Sequence, residues 1–202
     1  MDGETPFYNA SQKPAQKEIS KKKSFWSEYG DVLFIFIFVF LPIRFFVIQP
    51  FIVDGRSMSP TFETGQYVII DEISYRFHEP KRDDVIVFRY PIDPSRHFIK
   101  RIIGLPGETI TINKNTVTIT TVDKKTITLQ EPYVVFEGDN ELTKTLGAEE
   151  YFVLGDNRKE SFDSRSWGVL PKKNITGRAL VRLFPLSTIS LFPGNIESFS
   201  KK

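Results

Sequence analysis

The feature that most constrains this chain is an apolar run near its amino terminus. From Val32 to Val53 nearly every residue is aliphatic or aromatic, and about 20 helical residues are enough to cross the ~30 Å hydrocarbon layer of a bilayer. The lysine run Lys21–Lys23 precedes it, and Trp26 and Tyr29 lie between the two. Positive charge and interfacial aromatic residues mark the cytoplasmic side of a membrane helix. The sequence therefore predicts one transmembrane helix with a cytoplasmic amino terminus.

Pro42 and Arg44 interrupt this run, so that its purely apolar part is Val32 to Leu41. That length also suits the apolar region of a cleaved signal peptide. The residues that follow, Gln49 to Phe51, contain no small-x-small cleavage pattern, which favours an uncleaved anchor in which Arg44 extends toward the outer interface. A buried core helix is the alternative interpretation.

The composition excludes several classes of function. With 27 basic and 25 acidic residues the net charge is +2, which is too balanced to indicate a nucleic acid partner. The chain has no cysteine, so disulfides, thiolate metal sites and a cysteine nucleophile are excluded. Its two histidines, His78 and His97, stand in no metal-binding spacing. We expect neither a metal nor a cofactor.

After Asp54 the hydrophobic pattern changes to period two, which is typical of half-buried strands. Eight short strands are predicted, with Gly, Pro, Asn and Asp between them: Gln66–Glu72, Asp84–Tyr90, His97–Ile103, Thr109–Asn113, Thr116–Thr121, Thr126–Gln130, Tyr151–Gly155 and Ala179–Phe184. With no convincing soluble helix, this pattern predicts a mainly β protein with antiparallel sheets, built as a small barrel or as two packed sheets.

These patterns divide the chain into four parts. They predict a flexible cytoplasmic tail over residues 1–24, a transmembrane anchor over 25–52, an extracytoplasmic β domain over 53–195 and a polar tail over 196–202. Within the β domain, residues 109–150 are predicted to form a peripheral β-meander insertion with threonine-rich, solvated faces.

Two segments carry candidate chemical groups. Ser57 lies in a turn-prone segment between Gly55 and Pro60. Lys100 and Arg101 are adjacent on a predicted strand, and because alternate residues share a face, each has apolar neighbours. Periodicity does not choose between them. Only a lysine can lose its proton when it is buried, so only Lys100 can serve as a general base.

A third segment, Gly155–Gly168, follows a strand and is rich in hydroxyl groups and opposite charges. Asp163 and Arg165 are two residues apart and are expected to form a local ion pair that holds this loop against the core. Asn157 and Ser161 would add hydrogen bonds.

Together with the anchor, the three segments resemble bacterial type I signal peptidase. The resemblance rests on three motifs in order: Ser57-Met58-Ser59-Pro60-Thr61 for S-M-x-P-T, Lys100 to Gly107 for K-R-x-x-G-x-P-G, and Gly155 to Arg165 for G-D-N-R-x-x-S-x-D-S-R. It extends from the anchor to about Phe184.

The resemblance implies a Ser/Lys serine protease. Ser57 matches the nucleophile and Lys100 the general base, while Ser161 matches a residue that orients the lysine. Asp163 and Arg165 match residues that brace the loop. The Ser57 backbone N–H would be one oxyanion donor. Some members supply the second donor from a hydroxyl residue two positions before the nucleophile; that position is Gly55 in this chain, so the second donor is unknown.

The resemblance also implies cleavage of preprotein signal peptides after small residues, in an Ala-x-Ala pattern. Phe51, Ile52, Val53 and Met58 are candidates for the substrate pockets, or for contact with the outer leaflet. The protein would be a single-pass protein of the bacterial cytoplasmic membrane, with the lipid bilayer and the export translocon as partners.

Two rival interpretations stay open at this point. One is a self-cleaving repressor with a similar Ser/Lys dyad, which would need a DNA-binding domain in place of the apolar run. The other is a membrane-tethered β module that binds a wall polymer or a protein through residues 155–168.

Overall fold

The computed structural model of the chain describes residues 25–40, 48–114, 116–134 and 141–195. Helix α1 spans Phe25–Ile35 and continues as a π-helical turn over Phe36–Phe40. The side chains of residues 31–40 are all exposed. Within the ranges that the structure describes, none of the helices combines the length and the apolar character needed to span a bilayer. The predicted tails 1–24 and 196–202, and part of the predicted anchor, lie outside the described residues.

The predicted anchor extends too far along the sequence. Strand β1 occupies Ile48–Ile52 and pairs in antiparallel register with β2, Tyr67–Asp71. Strand β1 was assigned to the anchor because its residues are mostly apolar, and hydropathy does not distinguish a membrane segment from a strand at a sheet edge.

The main sheet is entirely antiparallel and has the strand order β1-β2-β11-β3-β4-β9-β10, with β12 paired to β11. Its further strands are β3 (Val85–Arg89), β4 (His97–Gly104), β9 (Glu150–Leu154), β10 (Leu170–Pro171), β11 (Ile175–Phe184) and β12 (Ser190–Leu191). Two four-residue helices, α2 (Ser74–Phe77) and α3 (Ser164–Trp167), connect these strands.

A second antiparallel sheet has the order β7-β6-β5-β8. Its strands are β5 (Thr109–Asn113), β6 (Thr116–Thr120), β7 (Thr126–Thr128) and β8 (Glu141–Thr145). In β6 the buried residues Val117 and Ile119 alternate with threonines. This alternation is typical of an antiparallel sheet that has one face packed on the core and the other exposed to solvent. The prediction of mainly antiparallel β structure is confirmed, and two sheets form rather than one barrel.

Three buried clusters hold the sheets together. One joins the small sheet to β4 and β9 through residues such as Ile110, Ile119 and Phe152. A second lies beside the Ser57 loop and contains Met58, Phe62, Val68 and Ala179, among others, while the third includes Phe88 and Tyr151. Burying each large apolar side chain contributes about 1.5 to 3 kcal/mol, so these clusters fix the strands that carry the candidate site.

The predicted strands agree with the structure to within a few residues, but four strands were not predicted. These are β1, β8, β10 and β12. Strands β10 and β12 have two residues each, which is too short to show a period. In β8, Glu141–Thr145, only Leu142 is apolar, so there is no alternation of apolar and polar residues to detect.

Candidate active site

The loop that carries Ser57 follows β1 and is closed at its base by backbone hydrogen bonds. The Val53 N–H donates to Gln66 O and the Gly65 N–H donates to Val53 O, each at 2.9 Å. Gly55 has a φ of +98°, a conformation that favours glycine. The Phe62 N–H donates to Met58 O at 2.9 Å, and both side chains are fully buried. Packing of Met58 therefore fixes the backbone on one side of Ser57.

Lys100 reaches Ser57 from strand β4. Its Nζ lies 2.7 Å from Ser57 Oγ and donates to Ile99 O at 2.9 Å. The side chain is almost completely buried, with 4% exposure, and Nζ lies 5.5 Å from the centre of the Phe98 ring. The two groups are within proton-transfer distance.

Burial lowers the pKa of Lys100 to about 8 from its ordinary value of 10.5. The carboxylates of Asp163 and Asp156 act in the opposite direction and keep the pKa from falling further. Desolvation wins because the ammonium form loses its water shell while neither carboxylate makes a hydrogen bond with it. A substantial fraction of Lys100 is therefore neutral near pH 8.

Arg101, the other basic residue of β4, performs a different task. It is fully buried, and its guanidinium donates to both carboxylate oxygens of Asp156, from Nε at 2.8 Å and from a terminal nitrogen at 2.6 Å. Thr61 Oγ1 donates to the same carboxylate at 2.6 Å. This network joins β4 to the loop after β9 and to the Ser57 loop. No sequence pattern indicated that residues 101 and 156 would pair.

The loop after β9 contacts the backbone of Ser57 directly. The Asn157 N–H donates to Ser57 O at 3.1 Å. Gly155 packs so closely that a Cβ there would collide with the Ser57 carbonyl oxygen and the Ser161 side chain. Only glycine fits at this point, and the loop after β9 and the Ser57 loop are held as one unit.

Asp163 and Arg165 form a bidentate ion pair in which both hydrogen bonds are 2.8 Å long. Asp163 also accepts from the Gly155 N–H at 3.0 Å, and Arg165 donates to Arg158 O at 2.7 Å. These contacts tie the two ends of the loop together.

Ser161 lies beside these groups but makes no hydrogen bond to the lysine. Its buried Oγ has no hydrogen-bond partner within the described part of the chain. It packs next to Gly155 and the Ser57 carbonyl. The role predicted for Ser161 in orienting Lys100 stays a prediction.

A cavity of about 100 Å³ opens beside Ser57 and Lys100. Its lining includes three predicted pocket residues, Phe51, Ile52 and Val53, together with Val68, Val87, His97, Phe98 and Ile99. Met58 does not line it, because that side chain points into the core and is only 1% exposed. Sequence reasoning did not single out His97, whose ring packs against Phe51 with their centres 5.5 Å apart.

Two further observations concern possible metal ligands and a second cavity. Across the ranges that the structure describes, no group of three or more His, Asp or Glu side chains could hold a metal ion. A larger cavity of about 350 Å³, lined by charged residues such as Lys81, Asp84 and Arg178, contains neither Ser57 nor Lys100. The arrangement at Ser57 is thus a serine hydroxyl facing a buried amine next to a small apolar cavity, which is suited to covalent acyl transfer.

Comparison with known proteins gives the class. The sequence profile of the family described as "Signal peptidase, peptidase S26" matches residues 26–184. The probable signal peptidase I-1 of Synechocystis sp. is 37% identical over 171 residues, which cover 81% of this chain and 85% of the relative. Signal peptidase I of Leptolyngbya laminosa is 36% identical over 200 residues, covering 94% and 96%. A crystal structure of a signal peptidase I from Enterococcus faecalis V583 is 28% identical and covers 50% of this chain and 97% of that one, with a TM-score of 0.41.

The chain belongs to the signal peptidase S26 family. It is accordingly a serine endopeptidase, a hydrolase that removes signal peptides. The resemblance that the three sequence motifs indicated is confirmed.

Proposed function

We propose that Ser57 is the nucleophile and Lys100 the general base of this signal peptidase. The 2.7 Å approach of Lys100 Nζ to Ser57 Oγ carries the proposal. The neutral amine takes the hydroxyl proton as Oγ attacks the scissile carbonyl, and the protonated amine then donates that proton to the leaving amine. The same amine activates water to hydrolyse the acyl-enzyme.

The oxyanion of the tetrahedral intermediate needs fixed donors. The Ser57 N–H donates to no group in the part of the chain that the structure describes, which leaves it available for this role. Gly55 lacks a side-chain donor, and its N–H donates to Thr64 Oγ1 at 3.2 Å. The second donor therefore comes from another group or from water.

Specificity for small residues in an Ala-x-Ala pattern is supported by the size of the cavity. A space of about 100 Å³ bounded by Phe51, Val53 and Ile99 accommodates a small side chain and excludes large ones without rearrangement. Most of the residues that line the cavity are apolar, which favours a small apolar side chain there.

Attachment to the outer side of the bacterial cytoplasmic membrane is supported by two apolar surfaces. The exposed apolar residues of segment 31–40 precede β1. At the end of β1, Ile52, Tyr67 and Phe184 form an exposed row across three paired strands. Because contiguous exposed apolar residues favour contact with lipid, we propose a single-pass anchor with a cytoplasmic amino terminus and a catalytic domain held close to the bilayer and the export translocon.

The test is cleavage of a preprotein with an Ala-x-Ala site by the full chain purified in detergent. Ser57→Ala and Lys100→Met should each abolish cleavage while the melting curve stays cooperative. Ser166→Ala and Lys159→Met are matched controls, because both residues are exposed, and both should keep full activity. Substantial activity in Lys100→Met would show that the base lies elsewhere.

A further inference from the structure

Two buried arginines beside the reacting groups contact one short stretch that lies outside all three motifs. This stretch, Glu131 to Tyr133, lies in the connection between strands β7 and β8 of the small sheet. The Tyr133 ring is 1% exposed and lies 3.8 Å from the Arg101 guanidinium carbon. Glu131 forms an ion pair with Arg158, and both side chains are less than a tenth exposed.

The contacts continue from Arg158 to the nucleophile segment. Arg158 Nε donates to Gly155 O at 3.1 Å, and Gly155 packs against the Ser57 carbonyl. The carbonyl of Arg158 accepts from Arg165 at 2.7 Å. Arg158 thus connects Glu131 to the turn that holds Ser57.

Glu131 is also held in place from its own side. The Tyr133 hydroxyl donates to Glu131 Oε1 at 3.0 Å, and the same hydroxyl interacts with Asp83. A buried guanidinium without a counterion is strongly unfavourable. If the Glu131 charge were removed, Arg158 would turn toward solvent or draw water inward, and in both cases its hydrogen bond to Gly155 would weaken.

We propose that Glu131 is a positioning residue for the catalytic pair, acting through Arg158 to hold the 155–158 turn against Ser57. Tyr133 holds Glu131 in place, because its hydroxyl donates to Glu131 while its ring packs on Arg101. The connection between β7 and β8 therefore stabilises the geometry of the active site, although none of its residues 131–133 lines the cavity. This inference rests on the proposed roles of Ser57 and Lys100.

The consequence for Lys100 follows from its surroundings. The carboxylates of Asp163 and Asp156 act on its charge, and both lie on the loop after β9. Asp54 and His97 line the same cavity as Lys100 and belong to other segments. A looser turn admits water, and because burial is what lowers the pKa of Lys100, that pKa would rise. The cavity is lined by residues of β1 to β4 and of the Ser57 loop, and none of residues 155–158 lines it, so substrate binding should be little affected.

The experiment measures kcat and KM against pH for wild type and Glu131→Gln with an Ala-x-Ala peptide in detergent. The matched control is Glu108→Gln. The buried Glu108 also forms an ion pair with a partly buried arginine, Arg82, at 2.6 Å, but it does not contact the catalytic loop. For Glu131→Gln we expect kcat to fall about tenfold with KM nearly unchanged, and the rising limb of the pH profile to shift toward higher pH by about half a unit or more. Glu108→Gln should lower the melting temperature without shifting the profile.

The proposal is overturned if Glu131→Gln has the wild-type pH profile and kcat, or if it loses stability and activity with an unshifted profile as a purely structural change would. Tyr133→Phe carries the test if Glu131→Gln does not fold: it removes one hydrogen bond to Glu131 and keeps the ring on Arg101. It should give a smaller shift in the same direction, and an unshifted profile would overturn the proposal. Failure of the proposed function is distinguishable, because it would appear as activity in Lys100→Met, whatever the Glu131 variant does.

Discussion

Raising the pH from 7 to 9 should increase kcat/KM by about tenfold, because only neutral Lys100 can accept the Ser57 proton. The pKa of Lys100 is lowered to about 8, so the neutral fraction is about one-tenth at pH 7 and about nine-tenths at pH 9. A lysine with the ordinary pKa of 10.5 would instead show a rise of about 100-fold over the same interval, with no plateau. The two cases are easily separated.

The assay follows cleavage of an internally quenched peptide with an Ala-x-Ala site at substrate concentrations well below KM. The rate should rise with pH and level off above about pH 9, and the midpoint reports the free-enzyme pKa of the base. As a control, the profile is repeated with Ser166→Ala, which alters an exposed residue and should give the same midpoint.

A profile that is flat between pH 6 and 9, or one that keeps rising steeply beyond pH 10, would refute this reasoning. The first result would mean that no titrating base limits the reaction. The second would mean that Lys100 is not desolvated in the working enzyme, and that the closed arrangement around Ser57 opens before catalysis.

Other substitutions test the network around this pair. Lys100→Met should stabilise the protein at pH 7 by up to about 3 kcal/mol, because the pKa of Lys100 is lower in the folded state than in the unfolded state. The cost of burying the charged ammonium is fully present below pH 8 and is lost as the pH rises to 10.5. Thermal melts at pH 7 and pH 10.5 should therefore show the gain only at pH 7. Asp156→Asn should cost about 3 to 5 kcal/mol in denaturant unfolding because it leaves Arg101 buried without a counterion, and wild-type stability would contradict this. Gly155→Ala should reduce kcat about 100-fold by displacing Ser57, and a soluble, fully active variant would contradict the close packing.

The sequence predicted much of the fold because period two and turn residues are local signals. Residues 116–120 alternate threonine with Val117 and Ile119, and one face of that strand is buried. Strand β1 was missed for an equally local reason: an apolar edge strand that follows an apolar helix has the same hydropathy as a longer helix.

At the site, the chemistry of individual residues limited the choice of catalytic candidates but did not show which side chains lie close together. The choice between Lys100 and Arg101 could be made from the requirement for a neutral amine, whereas the face on which each side chain lies depends on the register of β4 with its neighbours. No sequence pattern pointed to Glu131 or Tyr133, because their partners Arg158 and Arg101 are distant along the chain.

The family, the β character of the chain and the candidates for the reacting groups could all be inferred from the sequence, since motif order and period are properties of neighbouring residues. Three features became visible only in the folded chain: Ser57 Oγ lies 2.7 Å from Lys100 Nζ, Lys100 is desolvated, and Met58 belongs to the core rather than to the cavity. Each of these depends on strands far apart in the chain being brought into contact, and burial, which lowers the pKa of Lys100, exists only once that contact is made.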